Sequence, residues 1–209
     1  MDRAEQDTVA PGDDGGAFHF VGDALALDLA NTEVAVRGKR RDLLAPPGTV
    51  ARWWRAAQAV HPDHAVVRVG GTGSADEEVL RVALVTLRSS VRASFGALAA
   101  GSVPATADIE RLNAALATGR QALEIPPGGE PRLVYRATDP VALVVLPIAL
   151  SALDLFTGGD RGRLRRCAND RCVLLFRDTT KSATRRWCSV GCKDRDRKMK
   201  GYRRRTGEA

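Results

Sequence analysis

The segments Cys167-Ala-Asn-Asp-Arg-Cys172 and Cys188-Ser-Val-Gly-Cys192 contain all four cysteines of this 209-residue chain. Their spacing is C-x4-C-x15-C-x3-C, so two close pairs are separated by a short connecting segment. Two turns of this kind bring four thiolates to one tetrahedral centre, with Zn–S bonds of about 2.3 Å. Because four sulfurs fill the coordination shell, the spacing predicts one structural zinc ion and no open position for catalysis.

Three alternatives to zinc remain: four unrelated buried thiols, two disulfides or an iron–sulfur cluster. The paired spacing and the basic surroundings favour zinc. Four cysteines are too few for a disulfide scaffold, and no secretion signal opens the sequence, so we expect a cytoplasmic protein with reduced thiols. The most apolar stretch, residues 141–156, is shorter than the roughly twenty residues of a membrane span, so we expect a buried helix and no membrane partner.

The net charge of +7 is distributed unevenly along the chain. Residues 160–205 hold 17 Lys and Arg against 5 Asp and Glu, a net +12, whereas the remainder carries −5. A composition of 44% apolar and 27% charged residues is that of a globular protein, and 5% aromatic residues argue against an extended base-stacking platform. The charge therefore indicates that the C-terminal quarter meets a polyanion.

The segment around the cysteines predicts a small treble-clef-like module. Residues 173–176 resemble a strand, and the run from Cys188 to Arg205 has no proline and can be helical. The module has little apolar core of its own, so we expect metal binding to supply much of its folding free energy. A solvated basic face is the alternative to a nucleic-acid surface. The candidate nucleic-acid-binding residues are Arg185, Arg186, Lys193, Arg195, Arg197, Lys198, Lys200, Arg203, Arg204 and Arg205.

Upstream, the pattern predicts a mainly helical α+β domain. We assign residues 1–16 to a disordered acidic tail, 17–158 to this domain and 159–209 to the zinc module, with a glycine hinge before the module. From the N-terminus onward, the sequence predicts a strand at 18–21, an ambiguous segment at 25–29, helices starting at N-caps or capping boxes at Thr49, Ser74 and Thr106, strands at 122–125 and 132–136, and a helix opened by Pro140.

Few polar residues of the N-terminal domain stand out as functional. Asp28, Asn31 and Thr32 are candidates for lining the pocket of a small-molecule effector, with helix capping or turn formation as the alternative. The three histidines, at positions 19, 61 and 64, have no neighbouring carboxylate pattern. Because no nucleophile–base arrangement can be identified, we do not expect an enzyme.

Two groups of motifs each resemble a known family. Arg166-Cys-Ala-Asn-Asp-Arg-Cys172, Leu175-Phe-Arg-Asp178 and Arg185-Arg-Trp-Cys-Ser189 resemble the CGNR zinc-finger proteins of bacteria. Upstream, Leu27-Asp-Leu-Ala-Asn-Thr32, Asp42-Leu-Leu44 and Trp53 resemble the ABATE domain that accompanies this finger.

The resemblance implies a zinc-dependent transcription regulator that binds double-stranded DNA and has an N-terminal sensor domain. It implies that the four cysteines are the ligands and that Arg195 stands for the arginine of the name motif. This sequence departs there, with Cys192-Lys-Asp-Arg195 in place of Cys-Gly-Asn-Arg, and its last cysteine pair is one residue closer than is usual. An RNA- or ribosome-associated zinc protein is the alternative function, and a homodimer remains open.

Overall fold

The computed structural model describes residues 8–10, 17–62, 74–137, 139–159 and 161–207. Its helices are α1 (Leu25–Ala30), α2 (Thr49–Val60), α3 (Ser74–Ala99), α4 (Thr106–Leu116), α5 (Pro140–Thr157) and α6 (Val190–Thr206). Its strands are β1 (Thr8–Ala10), β2 (Phe18–Phe20), β3 (Glu33–Val36), β4 (Lys39–Asp42), β5 (Gly119–Glu124), β6 (Arg132–Ala137), β7 (Leu164–Arg166) and β8 (Leu175–Arg177). Successive strands pair as two-stranded antiparallel sheets. The fold is therefore α+β and mainly helical, as the sequence predicts.

Helix α3 is the spine of the core, and α1, α4 and α5 all pack against it. Its buried face includes Leu84, Val91 and Phe95, and Phe95 meets Phe156 of α5 with ring centroids 5.0 Å apart. Helix α5 is long and apolar enough to cross a membrane, but 56% of it is buried inside the protein. Because its apolar surface packs against other elements, it is the buried helix that the sequence predicts.

The segment that the sequence leaves ambiguous is α1, in which every residue is buried. A helix enclosed on all sides shows no amphipathic period, and this explains the ambiguity. The β3–β4 hairpin that follows is not predicted, because the charged residues of β4 hide any alternation. Arg37 and Gly38 form its turn, with φ of 51° and 79°.

Two predicted helix caps are wrong. The N-cap of α2 is Gly48, and Thr49 is the first helical residue, with its hydroxyl donating to the carbonyl of Pro46 at 2.5 Å. At α4 the cap is Ala105, with no side-chain hydrogen bond to the helix end. At α5 the predicted start is confirmed, because Asp139 Oδ1 accepts from the amide of Val141 at 2.7 Å. The side chain of Ser74, the third predicted cap, lies outside the described residues.

The C-terminal region packs directly on the N-terminal domain. The Asn31 side chain pairs with the backbone of β8: its Nδ2 donates to the Leu175 carbonyl, and its Oδ1 accepts from the Leu175 amide, both at 2.9 Å. The Arg92 guanidinium of α3 contributes to this joint between the two regions, because it donates to the carbonyls of Ala30 at 2.6 Å and Val173 at 3.0 Å. Because Leu175 and Phe176 are buried in the same cluster as the N-terminal core, the two regions share one core across the predicted glycine hinge.

A partly buried ion pair connects the β3–β4 hairpin to α3. Arg88 of α3 donates two hydrogen bonds to Asp42, at 2.5 and 2.7 Å, and a third to the Thr32 hydroxyl at 3.0 Å. Burial alone raises the pKa of Asp42, but the hydrogen bonds from Arg88 and from the Leu44 amide, with the charge of Arg88, outweigh it and hold that pKa below its usual value.

We expect Asp42→Asn to lower the free energy of unfolding by about 1–3 kcal/mol at neutral pH, because it leaves the buried Arg88 without its counter-charge. A lowered folded pKa gives stability that is present above the unfolded pKa of about 4 and is lost as pH falls through the folded value. The gap between wild type and variant in urea unfolding should therefore shrink toward about pH 3.

The matched control is Glu78→Gln, which removes the exposed Glu78–Arg81 pair of α3. Since exposed pairs of this kind contribute little, its effect should be much smaller than that of Asp42→Asn. Equal effects of the two substitutions, or a gap that does not depend on pH, would show that the Arg88–Asp42 pair does not stabilise the fold.

Candidate metal centre and nucleic-acid interface

The fold brings the four cysteine sulfurs together within 4.8 Å of one another. Cys167 directly follows β7, Cys172 ends the turn that leads toward β8, Cys188 precedes α6, and Cys192 lies in the first turn of α6. The Cys188 sulfur is 3.8 Å from that of Cys172 and 3.5 Å from that of Cys192. Apart from Cys172, which is half-buried, the thiols are buried.

This spacing fits a single tetrahedral metal ion. Sulfurs at the corners of a tetrahedron, each about 2.3 Å from its centre, lie about 3.8 Å from one another. The cysteines therefore need little movement to share one ion, and they form no disulfide. Thiolate ligands of this kind suit zinc or an iron–sulfur cluster, and the donor set leaves no position open for a substrate.

Backbone and side-chain hydrogen bonds hold the cysteine-bearing turns in place. Asn169 is buried, and its Nδ2 donates to the Cys192 carbonyl at 3.0 Å while its Oδ1 accepts from the Arg171 amide at 2.9 Å. Ser189 caps α6 by accepting from the Cys192 amide at 3.2 Å. These contacts fix the first pair of cysteines against the start of α6, so the site is largely formed by the fold itself.

Asp178 organises the loop between the two pairs, a role that the sequence motif alone did not reveal. One of its carboxylate oxygens accepts from the Thr180 amide and hydroxyl, at 3.0 and 2.6 Å, and the other accepts from the Arg185 amide at 2.8 Å. Burial raises the pKa of Asp178, but these hydrogen bonds outweigh it and keep that pKa below its usual value. The loop therefore returns to Cys188 in a defined conformation.

The hydrogen bonds within the cluster distribute protons unevenly. Bonds from Cys172 and Cys188 lower the pKa of Cys167 to about 7. Hydrogen bonds with the other three thiols, and a further one from Arg195, place the pKa of Cys192 well below that of a free thiol. Hydrogen bonds with the same cluster raise the pKa of Cys188. Hydrogen bonds with the other thiols raise the pKa of Cys172 as well, and thiolate is the form that binds metal, so metal binding would release the protons that Cys172 and Cys188 hold.

Helix α6 carries a continuous cationic surface. Its buried side is formed by Cys192 and Asp196. Two of its cations are paired: Lys200 with Asp196 at 2.8 Å, and Arg203 with Asp170 at 3.4 Å. Among the described residues no partner is recorded for five others, all of which are exposed: Lys193, Arg197, Lys198, Arg204 and Arg205.

The remaining predicted nucleic-acid contacts have structural partners. Arg185 donates to the carbonyls of Trp187 and Cys188 and stacks on the Phe176 ring at 4.8 Å. The guanidinium of Arg186 lies over the Trp187 ring at 5.2 Å. Arg195 donates to the Cys192 sulfur at 3.0 Å. The structure thus places Arg185 and Arg195 beside the cysteines rather than on the free face of α6.

A second cationic surface was missed by the sequence analysis. A recess of about 450 Å³ lies between β7 and the segment before Cys188, and four arginines line it: Arg165, Arg166, Arg185 and Arg186. Strand β7 pairs with β8, and the Ala168 amide just after β7 donates to the Arg186 carbonyl of the returning loop at 2.8 Å, which brings β7 beside that loop. Arg166 opens the first finger motif and Arg165 precedes it, but the motif gives neither a binding role, so their high local charge was the available signal.

The three residues predicted to line an effector pocket are buried and bonded within the protein. Asp28 Oδ1 accepts from the Gly22 amide at 3.0 Å, and the Thr32 hydroxyl donates to the Leu29 carbonyl at 2.7 Å. The amide of Asn31 is used by β8, as described above. Their polar atoms therefore bond within the protein, and the Asn31 side chain does so with a distant strand rather than as a helix cap or in a turn.

One histidine does have a carboxylate partner, contrary to the sequence analysis. His61 Nε2 lies 2.7 Å from Asp28 Oδ2, and the Asp28 side chain is almost fully buried. Burial raises the pKa of Asp28, while the hydrogen bond from His61 acts in the opposite direction. The 33 residues between them hid this pairing from the sequence. His64 lies outside the described residues.

Comparison with known families gives two matches along the chain. The family model described as "ABATE: Putative stress-induced transcription regulator" matches residues 23–159. The model described as "CGNR zinc finger" matches residues 163–206, which include the four clustered cysteines. A search among curated proteins found no match. Both matched families are regulatory or zinc-finger types rather than enzyme families.

Proposed function

The chain belongs to the ABATE family and ends in a CGNR zinc finger, and on that premise we propose that it is a zinc-dependent transcription regulator that binds double-stranded DNA. The single observation that carries the proposal is the free cationic face of α6, which begins at the cysteine cluster. The proposal includes a small-molecule effector sensed by the N-terminal domain and a cytoplasmic location. A homodimer would show as two half-sites in the bound DNA.

The four cysteines are the residues that would hold the zinc ion. Zinc supplies a fixed tetrahedral cross-link and no reaction step in this role. Hydrogen bonds within the chain hold the other parts of the finger in place. Asn169 and Ser189 fix the start of α6, and Asp178 and Arg185 fix the loop before Cys188. A rigid base for α6 reduces the ordering cost of placing its cations against a nucleic acid.

DNA binding requires cations that are not already neutralised. Lys193, Arg197 and Arg204 are four and seven residues apart and so lie on one flank of α6, about 100° around the helix axis from the buried Cys192 and Asp196. A helix with this surface fits a major groove about 12 Å wide or lies along phosphates. The recess beside Arg165 and Arg166 would receive a further backbone phosphate through planar guanidinium groups.

The joint between finger and N-terminal domain supplies a route for regulation. Asn31 and Arg92 both hold the backbone that leads into β8, and both belong to the core of the N-terminal domain. A change in α1 or α3 therefore reaches the finger through direct hydrogen bonds. This contact supports the pairing of a sensor domain with a DNA-binding finger.

We expect the affinity of the reduced, zinc-loaded protein for duplex DNA to fall steeply with salt. If about six phosphates are neutralised, log affinity against log salt should have a slope of about −5. The triple variant Lys193→Ala, Arg197→Ala, Arg204→Ala should make the slope less steep by about 3, because three phosphate contacts are lost. Fluorescence anisotropy with a labelled duplex measures both slopes.

The matched control removes the same charge from the N-terminal domain, through Arg55→Ala, Arg111→Ala and Arg120→Ala, all exposed positions. It should leave the slope close to that of the wild type. A slope near zero for the wild type, or equal effects of the two triple variants, would contradict the proposal. Structured RNA that outcompetes the duplex would favour the RNA-associated alternative instead.

A further inference from the structure

A cavity of about 580 Å³ lies where the finger meets the N-terminal domain. One wall is formed by β2, β3 and the β3–β4 turn, including Val21, Val34 and Val36. The opposite wall is formed by the finger, including Leu174 and the start of α6. The volume is that of an ordinary small-molecule site.

The walls combine apolar and cationic groups. Val36 is 45% exposed on the hairpin, although its neighbour on the same wall, Val34, is 6% exposed. Of the described residues that line the cavity, three are arginines, Arg37, Arg171 and Arg195, and none is Asp or Glu. A molecule that covers the valines and neutralises the arginines would satisfy both features.

Two of these arginines are available to a ligand. Arg37 is presented by the tight turn that it forms with Gly38, and Arg171 is fixed through its backbone amide, which donates to Asn169. Within the described part of the chain, neither guanidinium has a recorded partner. The third, Arg195, already donates to Cys192 at 3.0 Å and forms the link between the cavity and the cysteine cluster.

The cavity also touches the parts of the finger that the proposed function uses. Cys172, Cys188 and Cys192 contribute to its wall, as do Ser189 and Gly191 at the N-terminus of α6. An occupant would therefore lie against the sulfur atoms and the first turn of α6, while contacting the N-terminal domain on its other side. The affinity of the cavity for its occupant would therefore depend on how the finger is positioned against the N-terminal domain.

We infer that this cavity binds a small organic anion, with one carboxylate or sulfonate group on an apolar body. The anionic group pairs with Arg37 and Arg171, and the apolar body packs on the valines and Leu174. This inference rests on the sensing part of the proposed function, for which it gives a location and a ligand class. It differs from the predicted pocket at Asp28, Asn31 and Thr32, whose polar atoms the protein already uses.

The test uses the full-length, zinc-loaded protein and anilinonaphthalene sulfonate, a fluorescent apolar anion. The double variant Arg37→Gln, Arg171→Gln should weaken binding of this probe at least about fivefold, because two charge-assisted contacts are lost. The matched control, Arg55→Gln with Arg120→Gln, removes the same charge from exposed positions of the N-terminal domain outside the cavity and should change binding by less than about twofold. The neutral analogue N-phenylnaphthylamine should bind the wild type more weakly than the sulfonate does.

Circular dichroism and zinc content of each variant verify that folding is retained. Loss of probe binding in the cavity variant alone supports the inference. Equal weakening in both double variants would mean that the probe binds surface charge nonspecifically, and it would overturn the inference. An unchanged affinity in the cavity variant, or no probe binding to the wild type, would overturn it too. Because the assay contains no DNA, its failure leaves the DNA-binding proposal intact, and failure of the salt titration leaves this result intact.

Discussion

Replacing Cys188 by serine should abolish metal binding and reduce the affinity for duplex DNA by at least about 100-fold. Cys188 is 1% exposed, and its sulfur lies within 4 Å of two of the other three. A hydroxyl is a poor replacement for a thiolate, and the remaining thiols cannot close the tetrahedron. Zinc binding in finger peptides supplies about 10–16 kcal/mol of apparent free energy, so its loss outweighs the small apolar core of the finger.

The measurement pairs metal analysis with DNA binding and thermal unfolding of the reduced protein. Ser182→Ala, at an exposed position of the same finger, serves as the control and should leave metal content and affinity unchanged. We expect the N-terminal domain to remain folded in Cys188→Ser, because most of its core is formed by its own helices α1, α2, α3 and α5. Retention of one equivalent of zinc in the serine variant would contradict the four-cysteine site.

Replacing Asn31 by alanine should lower the free energy of unfolding by about 2–4 kcal/mol. The substitution leaves both the amide and the carbonyl of Leu175 buried without the partners that Asn31 provides. Each unsatisfied buried group costs about 1–3 kcal/mol, and Arg92 alone does not replace either bond. The amide of Leu175 should also exchange with solvent faster, since it is released from its acceptor.

Asn113→Ala on α4 is the matched control, because it removes the same side chain from an exposed helical position. Urea unfolding should give it a change below about 0.5 kcal/mol. Similar losses for the two variants, or unchanged exchange at Leu175 in Asn31→Ala, would show that this side chain does not join the finger to the domain. Zinc content should remain at one equivalent in both variants.

The sequence predicts the helical spine, the β5–β6 hairpin and the position of the cysteine cluster, because each depends on local patterns. Helix α3 has its apolar residues at helical spacing, and the cysteine pairs lie on turns whose geometry follows from their short spacing. The hairpin strands flank a proline- and glycine-rich loop. Periodicity and spacing are enough for these elements.

The joint between the two regions could not be predicted, since it depends on contacts between distant residues. Asn31 and Leu175 are 144 positions apart, and nothing in either local sequence indicates their pairing. The same applies to Arg92 with Val173 and to His61 with Asp28. The sequence shows that Asn31 is polar in an apolar segment, but only the fold distinguishes a joint from a ligand pocket.

The most direct test of this account is the metal content and coordination of the purified, reduced full-length protein. Metal analysis should give one zinc per chain, and X-ray absorption should give four sulfur neighbours at about 2.3 Å. Absence of bound metal, or nitrogen and oxygen atoms among the ligands, would contradict the claim that the four cysteines build one structural zinc site beneath α6.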